Sequence, residues 1–273
     1  MQILTYRAFT TNLPHSGNPA GVVLHAEDLD RDGMLRIAAD LGFSETAFLT
    51  SITADSARVR YFTPLDEIAF CGHATIASGV ALARNGAGPV LRLTTNAGEV
   101  PVEVTPTEAT LTAVDSTVHP LPDALLEELL VALRLTHGDL DPALPPAFVQ
   151  GGNPHPILFV RGDARQALDH DADMVLALQD REGWDGTVPV VQRLAPNRFV
   201  SRNPFPRGGI REDPATGSAA ASLGYYLRAG GHINLPAVIE VEQGVETGRP
   251  SLITVEIPED ARVRVTGTAD ELA

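Results

Sequence analysis

The chain has 273 residues, 44% of them hydrophobic, with 35 acidic against 20 basic side chains and a net charge of −15. That balance argues against nucleic acid or an anionic membrane surface as a partner. Every basic residue is arginine, so neither a pyridoxal-phosphate Schiff base nor a P-loop lysine is available, and the single cysteine, Cys71, excludes an internal disulfide.

No apolar run approaches membrane-spanning length. The first residues alternate like a strand and lack the basic start and apolar core of a signal peptide. A cytoplasmic location is therefore expected. In chain order, alternation predicts strands over 2–9, 22–24, 46–49, 57–62, 90–94 and 101–105. Helical patterns fall at 31–41 and 74–84. A further helix follows Pro120-Leu-Pro, with Asp123 as its expected cap and Glu127 and Glu128 near its N-terminal end. Beyond it, strands are expected near Phe148 and over 157–160, 187–191, 198–201, 238–241 and 252–257, with helices at 164–179 and 216–229. A last strand at 262–266 could return to the first half.

The same pattern occurs twice. Arg60-Tyr-Phe-Thr-Pro with Glu67 and Cys71-Gly-His-Ala-Thr75 leads into an apolar stretch. Arg198-Phe-Val and then Gly209 to Ser218 lead into another. Thr75 and Thr216 stand 141 positions apart, as do Thr46 and Thr187, and Gly17-Asn18-Pro19 recurs as Gly152-Asn153-Pro154. Several pairs in the same order indicate a duplication with loop insertions. The expected fold is α+β, with halves 1–117 and 118–273. Each half places several antiparallel strands around one helix rich in alanine, serine and glycine, short side chains that let strands approach from every side.

Gly72-His73-Ala-Thr75 and Ala215-Thr216-Gly217-Ser218 put helix starts after flexible turns. Free N–H groups and the positive dipole end there suit a small anion, most naturally a carboxylate. Ordinary N-capping by Thr75 and Thr216, and by Asp213, reads equally from the residues alone. His73 is either a structural histidine or a donor to a substrate oxygen. Glu45 lies between a helix and a strand, and its counterpart in the second half is Gly186. A carboxylate among apolar neighbours can shuttle a proton near neutral pH; a solvated loop glutamate is the alternative.

Ser44-Glu45-Thr-Ala-Phe-Leu, Arg60-Tyr-Phe-Thr-Pro, Cys71-Gly-His73-Ala-Thr and Glu212-Asp213-Pro-Ala-Thr-Gly-Ser218, with Gly17-Asn18-Pro-Ala-Gly and Gln243-Gly, together resemble the PhzF family. This is the phenazine-biosynthesis isomerase-like group with the diaminopimelate epimerase-like fold. The resemblance spans nearly the whole chain. It implies two pseudo-symmetric domains, each a mostly antiparallel sheet wrapped around a central helix, with the site between them. It further implies that Glu45 is the acid/base, assisted by His73, Asp213 and Ser218. Asn18, Ser44, Gly72, Thr75, Gly209, Thr216 and Gly217 are the expected substrate contacts. The epimerase branch of that fold uses two cysteines; this chain has one, so a two-thiol mechanism is excluded.

The expectation is a cofactor-independent isomerase of a small anionic carboxylate, forming a homodimer, with no metal. A binding protein that keeps the fold without catalysis is the alternative. A metal-dependent hydrolase built on His73, His155 and carboxylates finds no His-x-x-His or Glu-x-x-His spacing in support.

Overall fold

A computed structural model describes residues 1–272. The chain divides into two compact units, one formed by Met1–Ala113 and the chain from Arg264 onward, the other by Val114–Val263.

The first unit contains strands β1 (Gln2–Ala8), β2 (Asn18–Leu24), β3 (Thr46–Thr50), β4 (Ser56–Phe62), β5 (Glu67–Ile68), β6 (Val90–Thr95), β7 (Gly98–Val104) and β8 (Glu108–Thr112), with helices α1 (Arg31–Leu41) and α2 (Gly72–Arg84). The second contains β9 (Thr117–Pro120), α3 (Asp123–Leu133), β10 (Ala147–Gln150), β11 (His155–Phe159), α4 (Ala172–Glu182), β12 (Val190–Ala195), β13 (Arg198–Arg202), α5 (Gly217–Ala229), β14 (Ala237–Gln243) and β15 (Ser251–Ile257). Strand β16 (Arg264–Glu271) belongs to the first unit. The chain is thus α+β.

In the first unit, pairing runs β1-β2-β3-β4-β6-β7-β8-β16, and β16 also pairs with β1, so eight strands close a ring. The β2–β3 and β4–β6 pairs are parallel and the others antiparallel. Helix α2 lies against β1, β2, β3, β7, β8 and β16, and every residue from His73 to Leu82 is buried. Short side chains make this possible. A Cβ added at Gly79 would meet Val104 Cγ1 at 2.9 Å. Helix α1 covers another sheet face through Met34 and Ala38, packed with Val23, Phe48 and Phe62.

The second unit repeats that order of pairings. β10–β11 is antiparallel, β11–β12 parallel, β12–β13 antiparallel, β13–β14 parallel and β14–β15 antiparallel. Helix α5, buried from Gly217 to Leu227 apart from Ser218, contacts β9, β10, β11 and β15. At Gly224 an added Cβ would lie 3.1 Å from both Val255 and Val263. Helices α3 and α4 pack together over a cluster that includes Leu129, Leu133, Val175 and Trp184.

Several local expectations are corrected. The helix expected at 164–179 begins at Ala172, because Asp171 caps it by accepting from Met174 N. Asp123 is the first helical residue of α3 rather than its cap, a place held by Pro122. The strand expected at 187–191 starts at Val190, just after Pro189, which has no N–H to give a ladder. The repeat partner of Arg60 is Arg202, not Arg198. Arg60 forks onto Glu67 through two 2.7 Å bonds. Arg202 does the same to Glu212 at 3.0 and 2.5 Å, whereas Arg198 pairs with Glu242. Each fork ties a strand to the segment that leads toward the central helix of its unit.

Candidate active site

In the first unit, the end of α1 sets the place of Glu45. Gly42 ends the helix in the left-handed conformation (φ 68°). Three residues later the Glu45 carbonyl accepts from Gly21 N at 3.1 Å, which ties the turn to β2. The side chain turns inward, and the residue is only 7% exposed. Its Oε2 lies 3.4 Å from His73 Nε2. The other ring nitrogen of His73, Nδ1, lies 3.3 Å from Cys71 Sγ and 3.4 Å from Asn18 Nδ2. Cys71 is the N-cap residue of α2, and His73 sits in the first turn. Asn18 opens β2.

Burial holds the Glu45 carboxyl above the ordinary carboxylate range, and hydrogen bonding from Ser44 and Cys71 pulls it partly back. This answers the choice left open by the sequence: Glu45 is not a solvated loop residue. Thr75 is not a helix cap either. Its hydroxyl donates to Cys71 O at 2.7 Å and faces Tyr61 Oη at 2.7 Å, and its N–H bonds to Cys71 O. Both polar groups of Thr75 are engaged inside the unit.

Glu45, Cys71 and His73 hold donor atoms within 4.8 Å of one another, the geometry from which a metal site could be built. The imidazole turns different nitrogens to the thiol and the carboxylate, so a shared ion would have to displace one of those contacts.

In the second unit, Asp213 precedes α5 and Thr216 takes its N-cap position without a capping hydrogen bond. The Thr216 hydroxyl instead donates to Asp213 Oδ2 at 2.6 Å. Gln243, at the end of β14, clamps both residues. Its Nε2 donates to Asp213 O at 2.6 Å and to Thr216 Oγ1 at 3.0 Å, and its Oε1 accepts from Thr216 N at 3.1 Å. Ser218, one residue beyond Gly217, lies 3.0 Å from His155 Nε2. His155 is fully buried, and burial pushes its imidazole down to about 4, so it is neutral at neutral pH. Gly209 stands apart from this cluster: it is an exposed left-handed residue (φ 74°) that ends the turn at Pro206–Gly208.

The structure thus brings together Asn18, Ser44, Glu45 and His73 in one unit, with Gly72 at the helix start. In the other it gathers Asp213 with Thr216, and Ser218 with His155, at the start of α5. Two contributors were not among the expected site residues. Gln243 appeared only within a motif. His155 figured only in the metal-hydrolase alternative; it directly follows the repeated Gly-Asn-Pro, a further signal for it.

A family model for the phenazine biosynthesis-like proteins, PhzC-PhzF, matches residues 6–272. The chain belongs to that family. It is 36% identical over 273 residues to a protein of Deinococcus radiodurans named as an uncharacterized isomerase, covering 92% of this chain and 84% of that one. It is 32% identical over 260 residues to the trans-2,3-dihydro-3-hydroxyanthranilate isomerase of Pseudomonas chlororaphis, covering 95% and 88%. The crystal structure of a PhzF-family phenazine biosynthesis protein from Bacillus anthracis superposes with a TM-score of 0.86 at 27% identity, covering 100% of this chain and 98% of that one.

Proposed function

We propose that this isomerase moves a proton within a small carboxylic acid without a cofactor, and that Glu45 carries the proton. The observation that carries the reading is a buried glutamate, raised in pKa by desolvation and set 3.4 Å from a histidine in the first turn of a buried helix. As a carboxylate, Glu45 takes a proton from an activated carbon. The electron pair released there shifts a double bond or inverts the centre. Glu45, now a carboxylic acid, returns the proton to another carbon or to the other face. His73 orients the carboxyl group and stabilises charge that develops beside it. Asp213 and Ser218 are assigned to the same substrate, and the backbone N–H groups at the starts of α2 and α5 to its carboxylate. The names of the relatives support an isomerase with a carboxylic-acid substrate class; the family resemblance supports a substrate shared by the two halves and a cytoplasmic homodimer.

The test is proton exchange in heavy water. Wild-type protein should incorporate solvent deuterium into a turned-over acid drawn from a screen of small unsaturated and amino acids. Glu45→Gln, which keeps shape and removes proton transfer, should lower that rate by about 10²–10⁴-fold while leaving binding largely intact. A rate within threefold of wild type would remove Glu45 from the mechanism. Ligand-induced stabilisation with no exchange for any acid would favour the binding-protein alternative.

A further inference from the structure

A neutral imidazole has one N–H and one bare nitrogen, and its neighbours decide which is which. His155 Nδ1 lies 3.0 Å from the carbonyl oxygen of Thr187. That oxygen only accepts, so Nδ1 carries the hydrogen. Nε2 is then the bare nitrogen, and Ser218 Oγ, 3.0 Å away, donates to it. Thr187 is held in turn: Asn203 Nδ2 donates to its hydroxyl at 3.3 Å. The ring packs directly over Gly186. An added Cβ at Gly186 would meet Pro154 O at 2.0 Å and His155 Nδ1 at 2.8 Å. Position 186 is where the repeat would place a second Glu45. The second half has a histidine ring packed against that position and no carboxylate.

Ser218 is the one residue from Glu212 to Leu227 that is not buried. A serine hydroxyl ordinarily rotates to donate or accept as its ligand requires. Here its single hydrogen is already committed. We propose that His155 is a positioning residue that fixes the Ser218 proton, so that Ser218 meets the substrate as a hydrogen-bond acceptor and favours a ligand that offers it a donor. A carboxylate has only acceptors and is therefore left to the backbone N–H groups of the helix starts. The substrate half of this inference rests on the carboxylic-acid reading above; the hydrogen-bond direction does not.

Two measurements on the full chain test it. Nitrogen-15 NMR of histidine-labelled protein, with the His155 signals assigned by their loss in His155→Gln, should show the Nδ1–H tautomer at neutral pH. The Nε2–H tautomer would overturn the proposal. Calorimetric titration should show anthranilate binding about tenfold tighter than 2-methylbenzoate, the net worth of one hydrogen bond. That preference should fall to within about twofold in Ser218→Ala and in His155→Phe. Ser218→Ala removes one atom and decides the point even where His155→Phe fails to fold. Equal binding by the wild type, or variants that weaken both probes by the same factor and keep the ratio, would overturn the proposal. Both titrations are repeated in Glu45→Gln, so that a failure of proton transfer does not disturb the result. Binding of neither probe overturns the substrate half, and the tautomer stands or falls separately.

Discussion

Replacing His155 with glutamine removes a titrating group from a fully buried place, and the stability effect should change with pH. The free imidazole titrates near 6.5, and the folded one is pushed down to about 4 by burial. Between those values the unfolded chain binds a proton that the folded chain refuses. The stability tied to the neutral ring is therefore complete above pH 6.5, falls as the pH drops through the window, and is gone below about 4. Each pH unit corresponds to about 1.4 kcal/mol, so the whole window is worth ~3 kcal/mol. The glutamine variant lacks this slope. It carries instead a roughly constant loss of ~1–3 kcal/mol from disturbed partners at Thr187 O and Ser218. Urea unfolding of both proteins at fixed ionic strength, from about pH 7.5 to about pH 4.5, should show the wild type ahead at the high end. The gap should narrow by ~2–3 kcal/mol, closing or reversing at the low end. Parallel curves would refute the reasoning, because the ring would then titrate alike in both states.

Glu45 should show the opposite sign. Its folded carboxyl holds a proton that the unfolded chain releases above about pH 4.5, so its contribution is complete below that value and lost as pH rises through the folded pKa. Glu45→Gln should therefore raise Tm at neutral pH and bring no such gain in acid; thermal melts with one constant offset would count against this. Cys71→Ala should keep turnover within about tenfold, because the thiol tunes Glu45 and does not replace it. It also removes a hydrogen bond that lowers the Glu45 pKa, so the acid limb of the pH–rate profile should move upward; an unmoved limb contradicts that role. Gly186→Ala forces a Cβ to within 2.0 Å of Pro154 O and should cost ~1–3 kcal/mol or more in urea unfolding, whereas a loss of less than about 0.5 kcal/mol would show that the loop yields easily.

Local signals were legible where they were self-contained. Asp30 accepts from Gly33 N at 2.8 Å and Gly42 ends the helix, and α1 spans the residues that these signals mark. The small-residue bodies of α2 and α5 announced helices surrounded by strands. Other features depended on distance along the chain. The Arg202–Glu212 fork was hidden because ten positions separate its partners, against seven for Arg60 and Glu67, and because Arg198-Phe-Val resembles Arg60-Tyr-Phe although the 141-residue offset falls next to Arg202. The burial of Glu45 could not be read from a loop position; it comes from α2 arriving across the unit with His73. His155 was harder still, since its role depends on Thr187 and Ser218, 32 and 63 positions away. The helix misplaced at 164–179 had apolar spacing, but Ala164 and Leu168 spend it packing against the α3–α4 cluster from turns.

Strand β16 bears on how a ribosome delivers this protein. The other seven strands of the closed ring all lie before Ala113, yet the ring needs a segment that starts at Arg264. At ordinary synthesis rates the intervening stretch of roughly 150 residues takes ~10–30 s to emerge. For that time β1 and β8 present unpaired edges, the kind of surface on which chains join one another. The unit from Val114 to Val263 is continuous in sequence and has all its strands before β16 appears. The part of this protein that is made first is the part finished last, and a nascent chain interrupted before Arg264 would leave the ring of the first unit open.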